Sequence, residues 1–291
     1  GYTSFKLKPR PWWDIVSQIG AISKVVPDYF KLDLDPNGTW QNAASAIPII
    51  KKLEQFDKVA MYETPIPQHD VLGNRQIRAA INRPIAMHFG SPPYVTNVRE
   101  EVCDGYVICA GKSEVMRQGT LSAEVQMPFW LQLVGNGLTT TWAAHLGAVL
   151  TNATWPTITC INLYSNQLLK KNIEIVGGYH RVPDKPGLGV DVDERAIERF
   201  RVDKKELNKA KKTGKLYDRP DPRIINTVVY PDGSCVHMGR SSQGYAYFVG
   251  GNGPAYVEGV YLVAQPDDGS KSWNSLYKRA LEQPVRDKWT G

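Results

Sequence analysis

Short apolar runs alternate with longer segments of helical periodicity along the first part of the chain. The runs predict seven strands, over Thr3–Lys8, Tyr29–Asp35, Val59–Glu63, Pro84–His88, Gly105–Cys109, Phe129–Val134 and Thr157–Asn162. The periodic segments predict helices over Trp13–Val26, Gln41–Phe56, Val71–Ile81, Thr96–Val102 and Thr140–Ala153. Strands that alternate with helices form parallel sheets, and this many units favour closure into a barrel. The pattern therefore predicts an α/β fold, a TIM-type (β/α) barrel with seven strands visible.

The predicted barrel is one strand short of the eight that such a barrel needs. A parallel sheet left with an unpaired edge is unfavourable, so a further strand is expected. Because the chain opens directly on a predicted strand, we expect the missing strand and helix to lie upstream of this sequence. The alternative is that the segment beyond Arg219 supplies the edge.

The pattern changes from about Asp184 onward. A Gly/Pro-rich turn leads into a predicted helix over Glu194–Phe200, and the lysine-rich run Lys204–Lys215 follows as a solvated helix or loop. Strands are predicted over Ile224–Tyr230, Tyr245–Val249 and Tyr256–Val263, with hairpin-type turns at 231–233 and 250–253 and a last helix over Ser272–Leu281. We therefore predict a barrel domain over residues 1–183 and a C-terminal segment with a small β-rich module over residues 184–291.

Composition narrows the classes of function. The chain has 291 residues, 42% of them hydrophobic, and a net charge of +6 that lies largely in the lysine-rich run. This charge is too mild and local to favour a nucleic-acid partner. No apolar run approaches the ~20 residues of a membrane span, so no membrane partner is expected. The four cysteines lack the spacing of zinc sites or disulfide frameworks, which predicts reduced thiols and a cytoplasmic location.

Two of the predicted strands end in a carboxylate. Asp35 is followed at once by a Pro-Asn-Gly turn, and Glu63 by Thr-Pro. In a barrel the carboxyl ends of successive strands lie side by side around one opening. Carboxylate oxygens are the ligands that Mg²⁺ prefers, so the pattern predicts a metal site. For Asp35 the alternative is an Asx-turn with Asn37 that needs no metal.

A pair of lysines closes the first predicted strand. Lys6 and Lys8 are separated by one residue, so both side chains face the same side of the strand and, in a barrel, the interior. A lysine near a metal cation has a lowered pKa and can act as a general base near neutral pH. The alternative is a pair of surface lysines. Asp33 faces the same side as Asp35 but deeper, and is predicted to be an interior residue paired with a lysine.

Five motifs in order resemble the barrel of the enolase superfamily, in its mandelate racemase and muconate lactonizing branch. They are Lys6-Leu-Lys8, Asp35-Pro-Asn37, Glu63-Thr-Pro65, Leu138–Ala148 and Pro186–Asp193. Any one of them is a weak signal, but their order and spacing together are specific. In this family a capping domain and the first barrel strand come first. The resemblance thus implies that the present chain holds strands two to eight.

The resemblance also implies a chemistry. Members hold Mg²⁺ through three ligands at strand ends, and the ion stabilises the enediolate that forms when the proton α to a carboxylate is removed. By resemblance Lys8 is the base, Lys6 supports it by holding charge near the substrate carboxylate, and Asp35 and Glu63 are metal ligands. His88 stands at the third ligand position, where the family usually has Asp, Glu or Asn. An imidazole ligand favours Mn²⁺ or Zn²⁺ over Mg²⁺. Alternatively, His88 is an acid or base, or a buried hydrogen-bonded histidine.

The later strand ends depart further from the family pattern. Cys109 stands where members often carry a second lysine or an aspartate. It is a candidate acid or nucleophile if its pKa is depressed, and otherwise a small buried apolar residue. No histidine ends the next strand, and His145 in the following helix is expected to be structural.

A second base, which racemisation requires, is therefore not visible. One base and a metal suffice for β-elimination, so the leading prediction is dehydration of a sugar acid. The alternatives are a racemase or cycloisomerase of the same superfamily, and a degenerate member that binds a ligand or partner without catalysis. We expect a small-molecule carboxylate substrate, Mg²⁺ with Mn²⁺ as the alternative, and a homo-oligomer.

Overall fold

The computed structural model describes residues 1–213 and 223–291. Their contacts define two compact units, and the larger combines Thr3–Val107 with Arg223–Gly291. The smaller combines Gly1–Tyr2 with the stretch from Ile108 to Pro222, of which residues 108–213 are described. The division of the chain into domains at residue 184 stays a prediction. In the described ranges, no helix is both long and apolar enough to cross a bilayer.

Five parallel strands of the larger unit follow one another in sequence order. They are β1 (Ser4–Leu7), β2 (Lys31–Leu34), β3 (Val59–Glu63), β4 (Ile85–His88) and β5 (Gly105–Ile108). The register aligns Leu7 with Leu34, and Met87 of β4 with Tyr106. Leu32, Leu34 and Tyr62 are fully buried, as expected for strands covered on both faces. The parallel α/β sheet predicted from the alternation is confirmed.

Four helices connect these strands. They are α1 (Ile15–Ser23), α2 (Ala43–Leu53), α3 (Val71–Ala80) and α4 (Tyr94–Arg99). Asp14, Asn42 and Asp70 cap the first three, each side chain accepting a hydrogen bond from a backbone N–H of the first turn. The residues that α2 buries, among them Ile49, Ile50 and Leu53, recur at helical spacing, which is why the sequence pattern located this helix.

The smaller unit contains α5 (Lys112–Glu124), β6 (Phe129–Leu131), α6 (Gly137–Val149), a 3₁₀ turn (Ile161–Leu163), α7 (Glu194–Phe200) and α8 (Lys204–Thr213). Gln132, just after β6, donates its N–H to the carbonyl of Ile108. The sequence pattern missed α5, most of whose outward residues are polar and whose buried face includes Gly119 and Ser122. Residues 214 and 215 of the lysine-rich run lie outside the described residues.

The seventh strand predicted over Thr157–Asn162 is wrong in extent. A single residue, Ile158, forms a parallel bridge with Gln132, and the 3₁₀ turn begins soon after. Cys160 has a left-handed backbone with φ of 55°, which a continuing strand does not permit. His145 on α6 bonds through its ring to the carbonyl of Leu188, in keeping with the structural role expected for it.

The C-terminal module, residues 223–291, has an antiparallel sheet in the order β10-β8-β7-β9. Its strands are β7 (Ile224–Val229), β8 (Ser234–Met238), β9 (Tyr261–Pro266) and β10 (Val285–Lys288), with helices α9 (Ser241–Val249) and α10 (Lys271–Glu282). The predicted hairpin turn at Pro231–Gly233 is present between β7 and β8. The module predicted as β-rich is therefore of the α+β class, since two of its six elements are helices and its sheet is antiparallel.

Three predictions within the module are wrong. The segment Tyr245–Val249 belongs to helix α9, not to a strand, because burial of Phe248 against the sheet overrides the β-preference of its aromatic residues. Consequently, the glycines at 250–253 end a helix and do not form a hairpin. The strand predicted from Tyr256 begins only at Tyr261.

The module packs on residues that follow β1 in the same compact unit. Trp12 contacts the core formed by Val228, Val236, Met238, Phe248 and Val260, and its ring lies 5.5 Å from that of Phe248. Asp14, the cap of α1, accepts hydrogen bonds at 2.8 Å from both the Tyr256 hydroxyl and the Gly259 N–H. One carboxylate thus serves a helix cap and the attachment of the module.

Asp14→Asn is expected to lower the free energy of unfolding by about 1 kcal/mol at neutral pH, because an amide NH₂ must then face a donor. Although burial raises the pKa of Asp14, the hydrogen bonds from Gly259, Ser17 and Tyr256 outweigh it and hold the pKa below its ordinary value of 3.8. A depressed folded-state pKa contributes stability above the unfolded value and loses it as pH falls through the folded value. Urea unfolding should therefore show the wild-type advantage near pH 7 and its decline below pH 3.8. An advantage that grows on acidification would contradict this assignment.

Candidate active site

The carboxyl ends of β1, β2 and β3 bring two lysines and two carboxylates together. Asp35 and Glu63 are fully buried. The Lys6 Nζ lies 3.1 Å from Asp35 Oδ2 and also contacts Glu63 Oε2. Lys8 Nζ contacts Asp35 Oδ2 and donates to the side-chain oxygen of Asn37 at 3.0 Å. The sheet register causes this convergence, because Lys6 is aligned with Asp33 and the strand ends of β2 and β3 are adjacent.

Mutual attraction dominates the electrostatics of this cluster. Burial disfavours the charged form of Lys6, but Asp35 and Glu63 outweigh it, so the pKa of Lys6 is raised. Burial likewise opposes ionisation of Asp35, yet Lys6 and Lys8 hold the pKa of this carboxyl below its ordinary value. Asp33 is buried deeper along β2, and burial together with Glu63 raises its pKa to about 6 against the attraction of Lys6. The interior position predicted for Asp33 is confirmed.

His88 reaches the same cluster from the end of β4. Its Nε2 lies 3.1 Å from Glu63 Oε1, and its backbone N–H donates to the Gln68 side chain at 2.8 Å. The His88 side chain remains 30% exposed, so its imidazole is partly open to solvent. Through its contact with Glu63, the His88 imidazole lies where it could act as a metal ligand, an acid or a base. Which of these roles it fills stays a prediction.

Cys109 directly follows β5 and belongs to the smaller unit, not to the unit that holds Lys6, Lys8, Asp35 and Glu63. It is exposed and is not part of a disulfide. The alternative interpretation as a small buried apolar residue is therefore wrong. Its catalytic role stays a prediction.

The loop after β2 contains contacts that sequence reasoning did not find. Asn37 N–H donates to Asp35 Oδ1 at 3.0 Å, so the Asx-turn is present in addition to the lysine contacts. Arg10 donates to the Asn37 side chain at 2.7 Å and to the Pro36 carbonyl at 2.8 Å. Asn37 and Gly38 both have positive φ, and a Cβ on Gly38 would lie 3.3 Å from Pro67 N. The Pro-Asn-Gly sequence signalled the turn, but nothing local signalled Arg10.

The donor set can be compared with what a divalent cation requires. Asp35 and Glu63 both contact one cationic group, the Lys6 ammonium, so the two carboxylates converge on a common point. Two buried carboxylates in this relation fit part of the ligand set of Mg²⁺ or Mn²⁺, and the imidazole of His88 stands beside one of them. Among the described residues, however, no group of three or more His, Cys, Asp or Glu side chains lies close enough together to hold a metal ion.

The fold and the cluster define a barrel-type domain with candidate chemistry at the carboxyl ends of its strands. The family of enolase C-terminal domain-like proteins matches residues 1–196, and the chain belongs to this family. The resemblance expected from the five motifs is thereby confirmed. Members of the enolase superfamily bind Mg²⁺.

Individual relatives differ in the reaction that they catalyse. The chain is 29% identical over 215 residues to o-succinylbenzoate synthase of Geobacillus stearothermophilus, covering 69% of this chain and 54% of that protein. It is 25% identical over 185 residues to L-talarate/galactarate dehydratase of Salmonella typhimurium, covering 62% of this chain and 45% of that protein. The chain thus spans about half the length of these relatives.

A solved structure shares the fold. The dipeptide epimerase of Cytophaga hutchinsonii, crystallised with Mg and the dipeptide D-Ala-L-Val, superposes with a TM-score of 0.59 at 20% identity. The match covers 68% of this chain and 56% of that one. This likeness confirms the TIM-barrel architecture.

Proposed function

We propose that the protein removes the proton α to the carboxylate of a small molecule with the help of a divalent cation, and that it dehydrates a sugar acid. The proposal depends on one observation. Lys6 and Lys8, at the end of β1, face two buried carboxylates, Asp35 and Glu63, at the ends of the next two strands. Family membership supports α-proton removal as the shared step.

The two lysines differ in access to a substrate. The Lys8 side chain is 44% exposed, whereas that of Lys6 is 11% exposed and lies between both carboxylates. A base must reach a proton on a bound molecule within hydrogen-bond distance, which favours Lys8. Lys6 is suited to remain an ammonium and to hold positive charge beside the substrate carboxylate.

Asp35 and Glu63 are the residues that would hold the cation. Both are hard oxygen donors, both are fully buried, and both already contact a positive group. A bound divalent cation would supply electrostatic stabilisation of negative charge on the substrate carboxylate. Mg²⁺ is the first choice for such donors, and the nearby imidazole of His88 leaves Mn²⁺ as the alternative.

Dehydration fits a site with one lysine base. Lys8 would take the α-proton, and the electron pair left on the α-carbon would then expel the β-hydroxyl. That hydroxyl leaves as water once an acid has protonated it, and the enol that remains becomes a 2-keto acid. His88 is the candidate acid, since its partly exposed ring lies beside Glu63. Similarity to a dehydratase that acts on sugar acids supports this choice.

The test is incubation of the protein with galactarate, arabinonate and related sugar acids in D₂O containing Mg²⁺. We expect formation of a 2-keto acid and deuterium at the carbon α to the carboxylate of recovered substrate, both followed by NMR. Chelation by EDTA should stop both signals and added Mn²⁺ or Mg²⁺ should restore them. Exchange without 2-keto product would favour a racemase or epimerase. Absence of both, with the cation bound, would favour the non-catalytic member.

A further inference from the structure

Helix α9 of the C-terminal module touches the loop that carries the candidate chemistry. The Tyr245 hydroxyl donates to the backbone carbonyl of Asn37 at 2.5 Å, across more than half of the chain in sequence. Asn37 lies two residues after Asp35, at the carboxyl end of β2. The module therefore meets the parallel sheet at the end where Lys8 and Asp35 lie.

Asn37 links Tyr245 to the candidate base. The Asn37 side-chain oxygen accepts hydrogen bonds from Lys8 Nζ at 3.0 Å and from Arg10 Nη2 at 2.7 Å. Its backbone carbonyl accepts a hydrogen bond from Tyr245. The backbone of Asn37 is thus bonded to the module, and its side chain is bonded to the candidate site. A shift of Asn37 would move a partner of Lys8 directly.

The Tyr245 bond helps to fix the backbone of Asn37. Its φ of 52° lies in the left-handed region, which asparagine adopts more readily than most residues. Tyr245 makes this contact although its side chain is 43% exposed. An exposed tyrosine contributes little to a core, so we assign the role of Tyr245 to its hydrogen bond with Asn37.

Two further residues hold α9 and the segment after it in place. Gln41, in the same loop after β2, donates to the Phe248 carbonyl at 2.9 Å and to the Gly253 carbonyl at 2.7 Å. Trp12, in the loop after β1, packs against Phe248. Both strand-end loops that flank Lys8 and Asp35 are thus tied to α9 and the segment after it.

We propose that the C-terminal module is a working part of the site and that Tyr245 is a positioning residue that fixes Lys8 through Asn37. The catalytic consequence rests on the proposed function, whereas the positioning itself does not. The module would then take part in setting the geometry of proton removal, in addition to stabilising the larger unit.

The test compares Tyr245→Phe with Tyr261→Phe in the full chain. Tyr261, on β9, is 46% exposed, close to the exposure of Tyr245, and serves as the matched control. Acylation of Lys8 by acetic anhydride at one fixed pH is followed by peptide mass spectrometry. Lys51, which is 47% exposed and paired with Glu54, is the internal reference. Hydrogen exchange of the peptide that spans residues 36–41 is measured on the same samples.

Tyr245→Phe is expected to speed acylation of Lys8 relative to Lys51 by roughly two- to tenfold, the effect of losing one hydrogen bond. Exchange in residues 36–41 should rise in parallel, and Tyr261→Phe should change neither. Gln41→Ala, which loosens the same loop from its other side, should act in the same direction. On any sugar acid that the wild type dehydrates, Tyr245→Phe should lower kcat and leave KM unchanged.

Unchanged Lys8 acylation and unchanged loop exchange in Tyr245→Phe would overturn the proposal. Equal changes in Tyr245→Phe and Tyr261→Phe would overturn it as well, because they would indicate general loosening of the module. Failure of the proposed function would give a different combination of results. A wild type without turnover, combined with faster Lys8 acylation in Tyr245→Phe alone, would support positioning and refute the dehydratase assignment.

Discussion

Lys8→Met is expected to abolish turnover while cation binding and thermal stability persist. Methionine keeps the apolar stem of the side chain and removes the amine that would accept the α-proton. Because the Lys8 side chain is 44% exposed, little packing depends on its charged end. The loss of rate should be at least the ~10²–10⁴-fold typical of a general base. Formation of 2-keto acid and solvent deuterium exchange at the α-carbon are the two measurements.

Lys51→Met is the matched control for this variant. Lys51 has nearly the same exposure and is likewise paired with a carboxylate, but it lies on helix α2, away from the strand ends. It should retain full turnover and full exchange. If Lys8→Met instead kept near-normal turnover on an identified substrate, the base would lie elsewhere, and His88 would be the first candidate.

Glu63→Gln is expected to remove the bound divalent cation and leave the fold intact. The amide keeps the shape of the side chain but loses the charge that a hard cation requires. Lys6 keeps a partner at 3.1 Å in Asp35, so the buried ammonium is not left unpaired. Metal content after dialysis against Mn²⁺, and titration calorimetry with Mg²⁺, measure the loss. Circular dichroism reports whether the fold persists.

Glu54→Gln is the control for the cation experiment, because Glu54 pairs with Lys51 on the helical layer and lies outside the strand-end cluster. It should bind the cation as the wild type does. An unchanged stoichiometry in Glu63→Gln would refute the ligand role. Equal loss in both variants would point to a general effect of charge, not to a site at Glu63.

The amino-acid sequence by itself determined the alternating strands and helices of the larger unit and the place of its carboxylates. Buried strands such as β3 read as short apolar runs, and helices such as α2 repeat their buried residues at helical spacing. Parallel strands in sequence order then bring successive strand ends together, so Asp35, Glu63 and His88 could be assigned to one cluster. These features are local or follow from a regular topology.

The tertiary structure alone decided the contacts between segments distant in sequence. Tyr245 and Asn37, or Gln41 and Gly253, meet because the module folds back onto the loops after β1 and β2, and no periodicity encodes such an approach. The same packing made α9 a helix, because burying Phe248 against the sheet outweighed the strand preference of its aromatic residues. The pKa of a side chain also depends on its neighbours. Burial lowers the pKa of Lys6, but two carboxylates outweigh burial and raise it, and only the folded chain places those carboxylates beside Lys6.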